Sequence, residues 1–158
     1  DQKHLVALLT ICESLDSNSD NVLANRLLVL AEDYKTPESI RKHAIRAYGR
    51  VCEPSSISVD HLIRLLSRND PKLAESLYAA CLSLLNQCRR KVEYVRRVYG
   101  RLGALRDQLH TCWQREIALK TESIDLSGAR DIRDAIVGIE NLVAQYGEFS
   151  ERAQVGGK

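Results

Sequence analysis

The sequence contains no methionine, and it has few of the residues that mark irregular structure. Aromatic residues make up 5% of its 158 positions and proline occurs three times, whereas leucine, alanine, arginine and glutamate are abundant. This composition is typical of an all-α fold. The sequence has no run of about 18 uncharged apolar residues, so it does not predict a membrane span. Because there is no initiator methionine, we expect the chain to be a segment of a longer protein.

Charge and cysteine usage narrow the class of protein further. The chain carries 23 Lys and Arg against 21 Asp and Glu, and its formal net charge of +2 gives no overall attraction for nucleic acid or membrane. The five cysteines, at positions 12, 52, 81, 88 and 112, lie mostly on apolar helical faces and form no CxxC pair. We therefore expect reduced core cysteines in an intracellular protein of the nucleus or cytoplasm.

No pattern in the sequence predicts catalysis or metal binding. The histidines, at positions 4, 43, 61 and 110, fall on four different predicted helices. No nucleophile motif, HExxH pair, Gly-rich phosphate loop or paired-carboxylate motif accompanies them. The sequence therefore predicts a protein that is not an enzyme and that has no catalytic residue, metal site or cofactor.

One pattern occurs twice between Thr36 and Leu85. Thr36-Pro37 opens the first copy and Asp70-Pro71 opens the second, 34 residues further on. The Thr and Asp side chains can accept hydrogen bonds from the N–H groups of a first helical turn, and proline at the first helical position loses no useful donor. Apolar residues then recur at helical spacing in each copy. The two segments are predicted to be stacked copies of one helical unit.

Residues 36–51 read TPESIRKHAIRAYGRV, with an early proline followed by an apolar residue, an Arg, an Ala and a late Gly. This segment resembles the second helix of a HEAT-type repeat, with Arg41, Ala44 and Gly49 at the matching positions. In that family the arginine commonly joins a polar ladder between repeats, which is what the resemblance implies for Arg41. Glu75 stands at this position in the second copy, so the ladder is broken or reversed there. The resemblance covers about residues 22–88 and implies a binding scaffold.

The helices are predicted to form a single HEAT-like all-helical domain over residues 1–153, with a disordered tail at 154–158. Its first part is a stack of about five helices, at 2–15, 22–35, 37–52, 58–68 and 71–88. Ser58 is the predicted cap of the fourth helix. Two further helices, at about 90–120 and 128–152, then form a long antiparallel hairpin, and Ser127 is the predicted cap of the second.

The long helix at 90–120 carries a short heptad-like seam of apolar residues. The seam consists of Val95, Val98, Leu102, Leu105, Leu109 and Cys112. Gly100 and Gly103 interrupt it and predict a kink. We place the break from the preceding helix near Arg89, where neither glycine nor proline marks a boundary, so continuity of the two helices stays open.

Two groups of cations are the candidate partner-binding residues. The first lies on one helical stripe with an aromatic ring and comprises Arg90, Tyr94, Arg97 and Arg101; the second is spaced by four residues and comprises Lys42, Arg46 and Arg50. One interpretation is a docking surface for an acidic or phosphorylated segment, or for a nucleic-acid backbone. The other interpretation is a solvated face whose arginines pair with carboxylates on neighbouring helices.

Together these patterns predict a non-catalytic scaffold that captures a helix or an acidic peptide of a protein partner on a basic helical surface. Two alternatives stay open. The first is a helical-repeat module that binds nucleic acid such as RNA. The second is a structural module that dimerises through the seam at 95–112, and the oligomeric state is not fixed by the sequence.

Overall fold

The computed structural model describes residue 5, residues 21–119 and residues 127–156, and all regular structure within them is α-helical. Its six helices are α1 (Asn21–Glu32), α2 (Glu38–Val51), α3 (Ser56–Ser67), α4 (Ala74–Arg90), α5 (Val92–Leu119) and α6 (Ser127–Gly156). The prediction of an all-α fold is confirmed. The predicted helix at 2–15 falls almost entirely outside the described residues.

Helix α3 begins at a capping box formed by Ser55 and Ser58. Ser55 is the N-cap, and its Oγ accepts a hydrogen bond from the backbone N–H of Ser58 at 3.2 Å. The Ser58 hydroxyl in turn accepts from the Ser55 N–H at 2.9 Å. This reciprocal pair satisfies two donors at the helix start. The prediction that Ser58 itself is the cap was therefore three residues late.

The two proline-led starts differ from each other in the structure. Pro37 is the N-cap of α2, and no side chain forms a capping hydrogen bond there, so the predicted role of Thr36 was wrong. Asp70 accepts a hydrogen bond from the Lys72 N–H at 3.0 Å, but this bond belongs to a turn, and α4 begins only at Ala74. The prediction that the Asp70 side chain accepts a hydrogen bond from a backbone N–H was correct. The predicted start of the following helix was wrong.

The later helix boundaries also differ from prediction. Lys91 is extended, with φ −140° and ψ 124°, and it separates α4 from α5 two residues beyond the predicted break. Helix α5 runs without interruption through Gly100 and Gly103. Helix α6 begins at Ser127 and continues to Gly156, so it includes residues 154–156 of the predicted tail, and residues 157 and 158 lie outside the described part.

The helices pack around one shared core. Helix α2 contacts both α1 and α4, α4 also packs against α6, α3 packs against α5, and α5 contacts α6. The proline-led helices α2 and α4 thus lie side by side, as the repeat predicts. The predicted seam is buried in the same core, with exposures of 0–7% at Val95, Val98, Leu102, Leu105, Leu109 and Cys112. The seam is therefore used for packing within the chain.

Helices α2 and α4 approach very closely at Gly49. A Cβ built on Gly49 would lie 2.5 Å from the carbonyl oxygen of Ala80 and 2.6 Å from its Cα. These atoms belong to the α4 backbone, which cannot rotate away as a side chain could. Gly49 is therefore required for the distance between the two helices.

Two buried side chains cap the C-termini of neighbouring helices. The Arg41 Nε donates to the Ala31 carbonyl oxygen near the end of α1 at 3.0 Å. The Gln87 Nε2 donates to the carbonyl oxygens of Gly49 and Arg50 near the end of α2, at 2.8 and 3.0 Å. Carbonyls of a last helical turn lack partners within their own helix, and these bonds supply them. Arg41 on α2 thus forms a hydrogen bond with α1. Its positive charge also interacts favourably with the negative C-terminal end of the α1 dipole.

Candidate partner-binding surface

Arg97 and Arg101 form ion pairs with carboxylates from other parts of the chain. Arg97 Nη1 lies 2.5 Å from Glu53 Oε1, in the loop after α2, and Arg101 Nε lies 2.5 Å from Asp60 Oδ1 on α3. Both pairs are partly exposed, so each contributes about 0–1 kcal/mol to stability. These two ion pairs agree with the interpretation in which the arginines of this stripe pair with carboxylates of the chain itself.

Tyr94, the aromatic member of the first group, is covered by a cation of its own chain. The Lys91 Nζ lies 5.3 Å from the centroid of the Tyr94 ring, within the range of a cation–π contact. The Tyr94 side chain is half-buried against the core. The ring therefore has less free surface for stacking on a ligand than the helical stripe predicts.

Arg50 and Arg90, which the sequence places in different groups, line one cavity between α2 and α4. Ser83, Asn86 and Gln87 complete the described lining of this cavity, whose volume is about 140 Å³. None of these five residues is acidic. The lining therefore contains two arginines together with one serine and two residues with amide side chains. This is the cationic cavity, and its donor set suits a carboxylate or a phosphate group.

Lys42 and Arg46 lie nearer the start of α2 than Arg50 does. Both acidic and basic side chains surround them. Lys42 Nζ lies 2.9 Å from Glu38 Oε1 on its own helix. Both cations line a cavity of about 320 Å³ whose wall also contains Lys72, Glu75 and Glu116. Burial raises the pKa of Asp131 on α6 above its ordinary value, nearby carboxylates add to this shift, and the positive charge of Arg46 opposes it. The charge of these two cations is thus partly balanced by acids of the same surface.

A third cavity, mostly apolar, lies on the side of the last turn of α4 that is opposite to the cationic cavity. Its volume is about 220 Å³, and it is lined by Cys88, Arg89, Val92, Val95, Leu142, Gln145 and Tyr146. We call it the apolar cavity. Val92 is 54% exposed beside it, and the Tyr146 ring lies 4.6 Å from the Tyr99 ring, centroid to centroid. Sequence analysis missed this cavity because α4, α5 and α6 form it together.

Burial shifts the pKa values of several titratable groups in the described core. Burial raises the pKa of the Cys88 thiol to about 12 and that of Cys52 to about 12, so both remain protonated at neutral pH. The Tyr48 hydroxyl is hydrogen-bonded to His61 Nδ1 at 2.9 Å, and burial lowers the pKa of His61 and raises that of Tyr48. This contact joins α2 to α3.

Two further observations concern the described residues, and a third concerns the comparison of this sequence and structure with known proteins. They include no group of three or more His, Cys, Asp or Glu side chains that could hold a metal ion. No helix in the same part of the chain is long and apolar enough to cross a membrane. No protein-family description matches the sequence, and comparisons with curated proteins and with solved structures also gave no significant match. Assignment to the HEAT-type family therefore stays a prediction.

Proposed function

We propose that this chain is a non-catalytic protein-binding module that captures an acidic helix or extended peptide of a partner on the surface formed by α2 and α4. In this proposal α1–α4 form a HEAT-like stack, and α5 and α6 form an antiparallel hairpin that covers its end. The pairing of α2 with α4 supports the stack. Contacts of Tyr99 with Tyr146, and the shared cavity of Trp113 and Val137, support the hairpin, because early residues of α5 meet late residues of α6.

The observation that carries the proposal is the cationic cavity. Arg50 and Arg90 approach it from two helices, and its described lining contains no carboxylate. Two arginines that reach one cavity from different helices can bind one carboxylate together. The centre of the proposed binding surface is therefore Arg50 and Arg90.

A selection from a random peptide phage library on the full chain tests this function. We expect enrichment of peptides rich in Asp and Glu, and binding of the synthetic peptides that weakens as salt is raised. Changing Arg50→Glu together with Arg90→Glu should weaken binding about a hundredfold or more, because two charge-assisted hydrogen bonds are lost.

The matched control is the pair Arg97→Glu and Arg101→Glu, which makes the same change in net charge. We expect it to weaken peptide binding only about two- to threefold through screened, longer-range repulsion. A selection without acidic enrichment would refute the function. Equal losses from the two double variants would show that overall charge, rather than the cationic cavity, determines capture.

A further inference from the structure

One face of α6 is not covered by the other described helices. Its exposed residues recur three and four positions apart, and they include Arg133, Asp134, Val137, Glu140 and Asn141. This spacing places them on one side of the helix, which we call the outer face of α6. The seam at 95–112 packs within the chain, so association between two copies requires a different surface. The outer face of α6 is the surface considered for that role.

The centre of the outer face is apolar. Val137 is 46% exposed there. It lines a cavity of about 190 Å³ between α5 and α6, together with Trp113, Ile136, His110 and Arg133. The Trp113 side chain is only partly buried. Protein interfaces commonly combine an apolar centre with a polar rim, and charged residues lie on both sides of Val137.

Arg133 and Glu140 carry opposite charges on this face. Both side chains are exposed, and neither forms an ion pair with another residue that the structure describes. They cannot pair with each other, because seven positions along one helix separate them by about 10.5 Å. Within the described part of the chain, these two charges therefore lack a contact that neutralises them.

The order of the residues along the outer face is self-complementary. At about 100° and about 1.5 Å per residue, Arg133 and Glu140 lie on the same side of Val137, about 6 Å before it and about 4.5 Å after it. Asp134 and Asn141 lie on the other side in the same order. When two copies of α6 pack antiparallel about a two-fold axis at Val137, each Arg133 meets Glu140 of the other copy. Each Asp134 then meets the neutral amide of Asn141.

A parallel pair of helices fits this face less well. It would place Arg130 of one copy opposite Arg130 of the other, and it would set the two helix dipoles side by side in the same direction. In the antiparallel pair Arg130 meets Ala144 instead, because both positions lie seven residues from Val137. The antiparallel pair is isologous, so each contact occurs twice. These differences favour the antiparallel arrangement.

We infer that this chain forms a homodimer through the outer face of α6, with the two copies of the helix antiparallel. The two Val137 side chains lie at the two-fold axis. Two ion pairs between Arg133 and Glu140 lie on one side of them, and two hydrogen bonds from Asn141 to Asp134 lie on the other. None of these residues belongs to the proposed peptide-binding surface on α2 and α4, so the dimer and the proposed function can be tested separately.

Sedimentation equilibrium on the full chain tests the dimer, over a range of about 1 μM to about 1 mM that covers moderate and weak association. We expect the wild-type mass to rise with concentration from that of a monomer towards that of a dimer. Arg133→Glu and Glu140→Arg should each raise the dissociation constant about tenfold or more, because each change replaces two attractions with two repulsions. Arg26→Glu, at an exposed arginine of α1, is the charge control and should associate like wild type.

Exchanging the two charges tests the antiparallel pairing. The double variant Arg133→Glu with Glu140→Arg restores both attractions, so its dissociation constant should return to within about threefold of wild type. An equimolar mixture of the two single variants should associate more tightly than either variant alone. One chain then has two acidic groups on this side of the helix and the other has two basic groups. A variant that had merely lost its fold would not be rescued in this way.

Val137→Lys tests the apolar centre, and Val29→Lys, at an exposed valine of α1, is its control. Two lysines beside the axis repel each other, so we expect the first variant to stay monomeric and the second to dimerise. A wild-type chain that stays monomeric over the whole range overturns the inference. A dimer that Val137→Lys leaves intact, or that the charge exchange fails to restore, overturns it as well. Recovery by Arg133→Glu with Asp134→Arg would indicate the parallel pair and overturn the antiparallel one.

Discussion

Changing Gly49 to alanine would drive a methyl group into the backbone of α4. The added Cβ would lie 2.5, 2.6 and 2.9 Å from the O, Cα and C atoms of Ala80, whereas ordinary contacts begin at 3.4 Å. To remove this clash, α2 and α4 must separate by roughly 1 Å. A gap of that size loses a quarter to a half of the van der Waals attraction between the atoms that face each other. The same movement stretches the hydrogen bond from Gln87 to the Gly49 carbonyl oxygen.

The magnitude follows from two opposed effects. Inserting a methyl group where only backbone can yield costs about 3 kcal/mol, the upper end of the usual range for overpacking. Alanine within a helix is favoured over glycine by up to about 1 kcal/mol, an upper value for Gly49, which lies in the last turn of α2. We therefore expect Gly49→Ala to lower the free energy of unfolding by about 2 kcal/mol. For a chain of this size, that corresponds to a fall in Tm of about 4–8 °C.

Urea denaturation followed by circular dichroism measures this difference, and Gly100→Ala is its control. Gly100 is exposed on α5, and a Cβ built there has no neighbour within 4 Å. This second variant should therefore gain about 0.5–1 kcal/mol from helix propensity alone. If Gly49→Ala were as stable as Gly100→Ala, the close approach of α2 and α4 would be refuted.

Three further predictions test other contacts. Changing Gln87 to leucine should lower the free energy of unfolding by about 2 kcal/mol in urea, because two carbonyl oxygens lose their donor; unchanged stability would show that they do not need it. Burial holds the pKa of His61 below its ordinary value of 6.5, so the unfolded state binds more protons, and stability should fall as pH is lowered through 6.5. His61→Gln, which keeps an acceptor for Tyr48, should flatten that part of the stability curve, and an unchanged curve would contradict the assignment. Reversing Arg97 and Arg101 to glutamate should lower Tm by a few degrees while the helical signal is kept, whereas an unchanged Tm would show that their pairs contribute nothing.

The parts of the fold that the sequence predicted are those that depend on periodicity. The seam from Val95 to Cys112 is buried because residues three and four apart share one face of a helix, wherever that helix lies. The face of α2 with Lys42, Arg46 and Arg50 is likewise the less buried one. Helix starts were less predictable because several residues near a start can cap it. Ser55 and Ser58 are both suitable caps, and only the structure shows which serine precedes the first turn.

Contacts over long sequence separations account for what the sequence could not predict. Gln87 bonds to carbonyls 37 and 38 residues away, and Arg97 pairs with Glu53, 44 residues away. Neither partner can be recognised from residues near it in the chain. A stripe of arginines therefore does not reveal which of its charges are neutralised. The carboxylate partners of Arg97 and Arg101 come from the loop after α2 and from α3.

Stability and the proposed binding site depend on the same contact between α2 and α4. Gly49 permits the close approach, Gln87 bonds across it, and Arg50 and Arg90 reach one cavity because the two helices lie so near. Separating the helices would also move Arg50 and Arg90 apart, and useful hydrogen bonds span only about 2.7–3.2 Å. Gly49→Ala should therefore weaken capture of acidic peptides even at temperatures where the variant is fully folded, whereas Gly100→Ala should leave capture unchanged.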